Sequence, residues 1–430
     1  MKKKKQKYSL IGALAVLLVS ALAKYVTGTG VGNPEAQPDV TEPQTTENPL
    51  IENPESEPSA SVSASPTEEN ADVQTYAVAF YNVENLFDAQ DDPAINDEDF
   101  LPNGMYQWDE KKYRDKVQNM SRVLADIATN QLPNQGASLI GLAEVENRGV
   151  VEALLRTNYL KSRGYRILHF DSPDTRGIDC ALLYNPKVFR LEDSLYVQNI
   201  TPRSKNDDWL GFTQDPKTQR ITARPRFGDT SHPTRGFLVG IGTMAGEKMA
   251  IIVNHWPSRG SESFTRERSA RQVKKLIEAL QLQYPGIKVI MMGDLNDDPD
   301  NKSMKESMMC CYYPSKVKDD GDIFNPWKYM LRDREQGTLV FKGEWNLFDQ
   351  IVMTGNLIDR KMYLDEKKPD ISKMNLANGL TFYYNEIVVR DYMSMMRDGK
   401  RVPKRSIVNG EWKNGYSDHF PTCIYLIKRK

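Results

Sequence analysis

Val289-Ile290-Met291-Met292-Gly293-Asp294-Leu295-Asn296-Asp297-Asp298 runs four apolar residues into a glycine and then into acids and an amide. A buried strand that delivers polar groups at its carboxyl end looks like this, and in open α/β sheets ligands collect outside those ends. Asp294 and Asn296 stand two apart, so on an extended chain both side chains point the same way and reach one crevice. Taken alone, Gly293-Asp294-Leu295-Asn296 is equally a strand closing in an Asx turn, because Gly, Asp and Asn are all turn residues. The rest of the chain has to decide.

Working outward, other apolar runs end in the same manner. Tyr76-Ala77-Val78-Ala79-Phe80-Tyr81 leads into Asn82, and Ser138-Leu139-Ile140-Gly141-Leu142-Ala143 ends on Glu144. Ile251 to Asn254 closes on His255-Trp256-Pro257, and Ser417-Asp418-His419-Phe420-Pro421 precedes an apolar run from Thr422 to Ile427. Each has a bland reading: a solvated acid at a strand end for Glu144, a structural histidine for His255. Asp349 differs, because it lies within Leu347-Phe348-Asp349-Gln350-Ile351-Val352, and an acid among such neighbours needs a partner. Asp418 and His419 are adjacent and face opposite sides of an extended chain, so each needs a partner elsewhere.

Tyr113, Val117, Met120, Leu124 and Ile127 recur on one face of a helix. Further helices are predicted near Val150 to Ser162 and from about Glu262 to Leu282, with strands at Tyr165 to Phe170, Ile178 to Tyr184 and Met249 to Asn254. Several strands follow one another with no helix between them, which predicts an α/β protein with a mixed sheet or two stacked sheets rather than a purely parallel one. Tyr363 to Tyr416 is loop-rich and shows no usable period.

Residues 73–430 carry no Pro/Ser-rich break and no internal repeat, and are predicted to form one large domain. What precedes them is different. Five lysines lie within Met1 to Lys7, Tyr8 to Ala23 is apolar, and Ala21-Leu22-Ala23 has the small-x-small form of a signal-peptidase site, so residues 1–24 are expected to be an export signal or, if uncleaved, a membrane anchor through residues 8–23. Residues 25–72 hold ten acids, no Lys or Arg and many Pro, Ser and Thr, which predicts a disordered spacer. A periplasmic, cell-surface or extracellular location follows as an expectation. The formal charge of −1 for the whole chain leaves about +3 for residues 73–430 once six N-terminal lysines and those ten acids are set aside, so a strongly basic nucleic-acid footprint is absent. Cys180, Cys310, Cys311 and Cys423 form neither a disulfide framework nor a zinc spacing.

Carboxylates, amides and histidines at strand ends, without cysteine, describe a site for a hard cation such as magnesium rather than zinc, and so point to phosphoryl chemistry. No Gly-x-x-x-x-Gly-Lys, Gly-x-Gly-x-x-Gly or Gly-x-Ser-x-Gly motif is present, which removes support for nucleotide-motor, dinucleotide and serine-hydrolase readings.

At this point the chain resembles the endonuclease/exonuclease/phosphatase superfamily, which includes deoxyribonucleases, abasic-site endonucleases, neutral sphingomyelinases and inositol-polyphosphate phosphatases. The resemblance spans residues 76–428. It rests on Tyr81-Asn82-Val83-Glu84-Asn85-Leu86-Phe87, Ala143-Glu144-Val145-Glu146-Asn147, Arg176-Gly177-Ile178-Asp179, Asn254-His255-Trp256-Pro257, Gly293-Asp294-Leu295-Asn296 and Ser417-Asp418-His419 in that order, with Phe348-Asp349-Gln350-Ile351 a weaker seventh. It implies a four-layer sandwich of two stacked mixed sheets flanked by helices, and hydrolysis of a phosphate ester with magnesium, for which manganese or calcium would substitute. Residue by residue it implies Glu144 as the principal metal ligand with Asn82 and Asp418 close by, Asp294 acting on the attacking water, and Asn296 holding the phosphate. His419 would be oriented by Asp349. His255 would be a second histidine paired with Asp179, one imidazole on each side of the phosphate, and Arg224 would contact phosphate. The leading expectation is a monomeric phosphodiesterase acting on nucleic acid; a phosphomonoesterase, a sphingomyelinase-like lipid hydrolase and a silent binding module are the alternatives.

Overall fold

The structure is a computed structural model that describes residues 72–201, 209–224, 232–364 and 368–430. The export-signal reading of residues 1–24 and nearly all of the spacer reading of residues 25–72 fall outside the described residues. Two six-stranded sheets make the frame. The first contains β1 (Val73–Leu86), β2 (Leu139–Val145), β3 (Arg166–His169), β4 (Asp179–Tyr184), β15 (Thr381–Ile387) and β20 (Thr422–Arg429), in the order β15-β20-β1-β2-β4-β3. The second contains β5 (Phe189–Thr201), β8 (His232–Met244), β9 (Glu247–His255), β10 (Lys288–Asp294), β11 (Ile323–Phe324) and β14 (Asp349–Thr354), in the order β11-β14-β10-β9-β8-β5. Both are mixed: β1 runs parallel to β2 and antiparallel to β20, and β10 runs parallel to β9 and antiparallel to β14.

Alternation along the strands sorts the apolar residues into three cores. Val78, Phe80, Leu139, Leu182, Ile251, Val253, Ile290 and Met292 meet between the sheets. Ala77, Ala79, Ile140, Leu142, Ala181 and Leu183 face the other way, beneath α1 (Glu110–Asp126) and α2 (Arg148–Arg156), while Ile252, Val289 and Met291 lie beneath α3 (Ser263–Gln283). Helix, sheet, sheet, helix is the layer order the resemblance implies. Burial of each such large side chain stabilises by about 1.5–3 kcal/mol before the entropy of ordering is subtracted.

Local signals set the helix starts. Asp109 accepts from Lys112 N at the head of α1, and Asn147 accepts from Val150 N at the head of α2. The second helix ends at Arg156, short of the predicted Ser162, because Thr157 turns extended and its N–H closes on Leu154 O. The region from Tyr363 to Tyr416 is also more ordered than its pattern suggests. It supplies β15, whose register slips between Phe382 and Tyr384, and two hairpins, β16–β17 (Ser394–Arg397, Lys400–Pro403) and β18–β19 (Ile407–Val408, Glu411–Trp412). Asp398-Gly399 and Asn409-Gly410 turn these hairpins with positive φ at both residues, a two-residue turn signal present in the sequence. Two further hairpins, β6–β7 (Phe212–Gln214, Ile221–Ala223) and β12–β13 (Leu339–Phe341, Glu344–Asn346), lie outside the main sheets. A short α4 (Trp327–Arg332) completes the helices of the described residues that bear on the core.

Candidate active site

His255, Asp294 and Asp349 are neighbours in register at one end of the second sheet: Asp294 is the Cα partner of His255 on β9 and of Asp349 on β14. Each shares the parity of inward residues on its own strand, Ile251 and Val253, Ile290 and Met292, Ile351 and Met353, so all three face the crevice between the sheets. Gly293 permits the close approach, since a Cβ there would stand 2.3 Å from Asn254 O. The strand and the Asx turn turn out to coexist, because Asp294 Oδ1 accepts from Asn296 N at 2.9 Å and Asn296 adopts a φ of 52°.

The first sheet contributes Asn82, which keeps the inward parity of Val78 and Phe80. Glu144 gets there differently. Strict alternation would send it outward with Ile140 and Leu142, but the β2 register slips between Ala143 and Val145 and Glu144 takes a φ of 64°. A bulge of this kind re-aims one side chain without disturbing its neighbours, and the strained left-handed backbone is tolerated only where packing over-determines it.

These groups converge on one atom. Asp294 Oδ2 accepts from Asn82 Nδ2 at 3.0 Å and lies 3.7 Å from His255 Nε2 and 3.9 Å from His419 Nε2. Glu144 Oε1 lies 3.2 Å from the same Asn82 nitrogen and 3.8 Å from His255 Nε2, while Asn85 N donates to Glu144 Oε2 at 3.0 Å. His419 Nδ1 bonds Asp349 Oδ2 at 2.7 Å, the pair expected from alternation and burial.

The two imidazoles are driven to opposite charge states. Burial pushes His255 well below the usual histidine range, and Arg235, Arg176 and His419 add to the effect. Burial would also depress His419, yet the carboxylates of Asp349 and Asp418 outweigh it and hold His419 well above the usual range. Burial raises the Asp294 carboxyl to about 7, with His419 opposing and Asp349 and Glu144 reinforcing the rise. A cationic imidazole, a neutral one and a carboxyl poised near neutrality therefore surround one small space, and that set can exchange a proton with a substrate and stabilise negative charge.

Several residues sit otherwise than expected. Asp179 does not reach His255: its Oδ2 lies 3.0 Å from His169 Nε2, and its Oδ1 accepts from Ser172 N at 2.9 Å. The cause is parity. On β4 Cys180 and Leu182 point inward while Ala181 and Leu183 point out, so Asp179 falls on the outward set, diagonal to His169, whose register partner is Ala181. Among the described residues His255 Nδ1 has no hydrogen-bond partner and is buried. Asn82 turns its amide nitrogen, not its oxygen, toward the carboxylates, because its Oδ1 accepts from Glu84 N at 2.9 Å, and the amide bridges Glu144 and Asp294. Asp418 is engaged by Arg405 Nη2 at 3.3 Å and stands 3.8 Å from His419 Nε2, outside the grouping of Glu144, His255 and Asp294. Asn296 donates from Nδ2 to Trp256 O at 3.1 Å. Arg224 is exposed, with none of the cluster's groups in hydrogen-bond or ion-pair reach among the described residues.

Sequence reasoning missed the cations that brace this site. Arg259 donates from Nε to Asn296 O at 3.1 Å, from Nη1 to Asn346 Oδ1 at 2.9 Å, and from Nη2 to Asp298 Oδ2 at 3.1 Å and Asn301 Oδ1 at 3.0 Å, with its guanidinium 4.3 Å from the Phe348 ring centre. Arg405 donates to buried Glu84 at 2.9 Å and reaches Asp418. Arg235 donates to Asp174 at 2.7 Å and to Trp256 O at 3.0 Å. Such partners come from distant segments, and no local pattern announces them.

The donors suit a divalent cation. Glu144 Oε1, Asp294 Oδ2 and His255 Nε2 lie within 4.8 Å of one another. Two carboxylates face one another with an amide donor between them and no Lys or Arg ion pair among the described residues.

The profile described as "Endonuclease/Exonuclease/phosphatase family" matches residues 77–222 and 209–428. No curated protein sequence matches significantly. Among solved structures, an endonuclease/exonuclease/phosphatase family protein from Bacteroides thetaiotaomicron is 15% identical over 83% of this chain and 98% of its own, with a TM-score of 0.47. A mannosyl-6-phosphatase from the same species is 14% identical over 82% and 99%, with a TM-score of 0.45. The catalytic domain of human Nocturnin is 14% identical over 83% and 95%, with a TM-score of 0.43.

Proposed function

The chain belongs to the endonuclease/exonuclease/phosphatase family, and on that premise we propose that it hydrolyses phosphodiesters, nucleic acid foremost, with a divalent cation of which magnesium is the first choice. The observation that carries the reading is the convergence on Asp294 Oδ2 of one depressed and one elevated histidine together with Asn82. Glu144 would hold the cation, beside Asp294 and His255, and the cation when bound supplies Lewis-acid polarisation of a phosphate oxygen.

The chain's own residues do the rest. Asp294, with a carboxyl held near neutrality, takes a proton from the attacking water at Oδ2. His419 is kept protonated by Asp349, and its Nε2–H faces the space beside Asp294 Oδ2, where it meets charge developing on the phosphoryl oxygens. Asn82 fixes the relative position of Glu144 and Asp294, and the Asn296 side chain is anchored on Trp256 O. Residues 73–430 are proposed as the catalytic domain, exported by residues 1–24 and spaced from them by an acidic linker.

The test is an assay of the purified chain with magnesium against DNA, RNA, sphingomyelin vesicles and a simple phosphomonoester. Cleavage of DNA or RNA that falls steeply with added salt is the expected result. Turnover confined to the monoester or to lipid vesicles would replace the nucleic-acid reading by one of its alternatives within the family.

A further inference from the structure

We propose that the gap between the hairpins β12–β13 and β16–β17 is a second anion subsite, which receives the phosphates of a nucleic-acid strand beyond the one being cleaved. The inference rests on the phosphodiesterase reading and extends it to a substrate with several phosphates.

A cavity of about 360 Å³ lies between these hairpins, floored by Val340 and Val402 and lined by Lys342, Arg397, Lys400 and Asp398. Three cations face one acid. Among the described residues none of the three has a carboxylate in ion-pair reach, whereas the neighbouring Arg401 is paired with Asp391. Arg397 and Lys400 are direct cross-strand partners, an arrangement in which like charges repel and destabilise a hairpin. Across the gap, Lys342 stands at the β12–β13 turn with a φ of 52°, its ammonium 5.3 Å from the Phe341 ring centre. A fold that gathers three unpaired cations and sets two of them opposite each other gains stability when an anion enters.

The hairpin also connects this gap to the reaction centre. Thr338, just before β12, donates its hydroxyl to Asp349, and its carbonyl accepts from Phe420 N at 2.7 Å, beside His419. At the other end of the hairpin Asn346 accepts from Arg259, which also donates to Asn296 O. Leu339 pairs with Asn346 and Phe341 with Glu344, so the turn lies three residues beyond the root. At about 3.3 Å per residue the turn stands roughly 10 Å beyond the hairpin's root, where Thr338 meets Asp349. That is on the order of three nucleotides of B-form rise. A lone phosphomonoester does not span this distance, and a polynucleotide does.

The experiment uses the full chain and the triple variant Lys342→Gln/Arg397→Gln/Lys400→Gln, all three at exposed or half-exposed hairpin positions. Binding of a fluorescein-labelled 12-nucleotide single strand is measured in EDTA, so that no turnover intervenes, at 50 to 200 mM NaCl. The triple variant should bind about 10-fold more weakly at 50 mM, and its slope of log K against log salt should be shallower by about 2, from some 0.7 per phosphate contact removed. Equal affinity and slope in the two proteins, or no binding by wild type at 50 mM, overturns the subsite. Hydrolysis with magnesium is then compared on the 12-mer and on a dinucleotide, where the variant should lose only the advantage of the longer strand. Wild type that binds through these residues yet cleaves neither substrate sinks the phosphodiesterase reading and leaves the subsite standing. Equal preference for the 12-mer in both proteins does the reverse.

Discussion

Asp349 and His419 come from segments seventy residues apart and meet at 2.7 Å between Oδ2 and Nδ1, with the Thr338 hydroxyl on the same carboxylate oxygen and Asp349 Oδ1 buried without a partner among the described residues. Asp349 is wholly buried. A buried carboxylate so placed both fixes the imidazole's orientation and keeps it protonated. Asp349→Asn should therefore lower kcat about 100-fold or more while leaving KM nearly unchanged, because the charge it sustains is used only in the transition state. A variant with wild-type turnover would remove His419 from its assigned role.

Glu144 owes its inward position to a bulge and has a neutral imidazole and a second carboxylate as neighbours. EDTA should abolish hydrolysis, and magnesium or manganese should restore it. Glu144→Gln should weaken magnesium binding, measured by calorimetry, at least about 10-fold and lower activity with it. Full turnover in EDTA would dismiss the metal reading outright.

Arg259 ties the loop after β9 to the loop after β10 through three hydrogen bonds and to Asn346 of β13 through a fourth. Arg259→Ala should cost about 10- to 100-fold in kcat, the range seen when a supporting partner of a site is removed. Arg259→Lys keeps the charge but not the planar fork, and should rescue little. Millimolar guanidinium should restore part of the alanine variant's kcat, an outcome that loss of folding alone would not give.

Lys116 is fully buried, donating to Tyr416 O at 2.6 Å and to Ser406 Oγ at 3.0 Å, and lies 3.9 Å from Glu84. Desolvation lowers its pKa from 10.5 to about 8, with Glu84 and Asp418 opposing. Between these two values the unfolded chain binds the proton and the folded chain does not, so the cost of burying the charge is present below pH 8 and is relieved as pH rises toward 10.5. The melting temperature of wild type relative to Lys116→Met should thus increase from pH 7.5 to pH 10. A difference independent of pH would show that Lys116 titrates normally.

How much of this was legible in the residues follows from the range over which each signal acts. Strand and helix periods are local, so the burial of Val289 to Met292, the amphipathic face from Val117 to Leu124 and the delivery of Asp294, His255 and Glu144 to strand ends could be read directly. The two-sheet sandwich and the Asp349–His419 pair were also within reach, the latter because a carboxylate in an apolar strand and a histidine whose neighbour faces away each demand a partner. Hairpins turned by Asp398-Gly399 and Asn409-Gly410 carried an adequate signal that a scan for periodicity passes over.

Other features were settled only when the chain folded. Alternation, applied to β4, already counted against Asp179 reaching His255, but only the pairing of β3 with β4 supplied His169 in its place. Alternation applied to β2 would put Glu144 on the wrong face, since a bulge depends on the register of both neighbouring strands. The opposite charge states of His255 and His419 arise from which carboxylates and guanidinium groups surround two equally buried rings. Side-chain period is a property of a segment and survives in the sequence. Register, bulges and electrostatic surroundings are properties of contacts between segments distant in the chain, and only the tertiary structure brings those segments together.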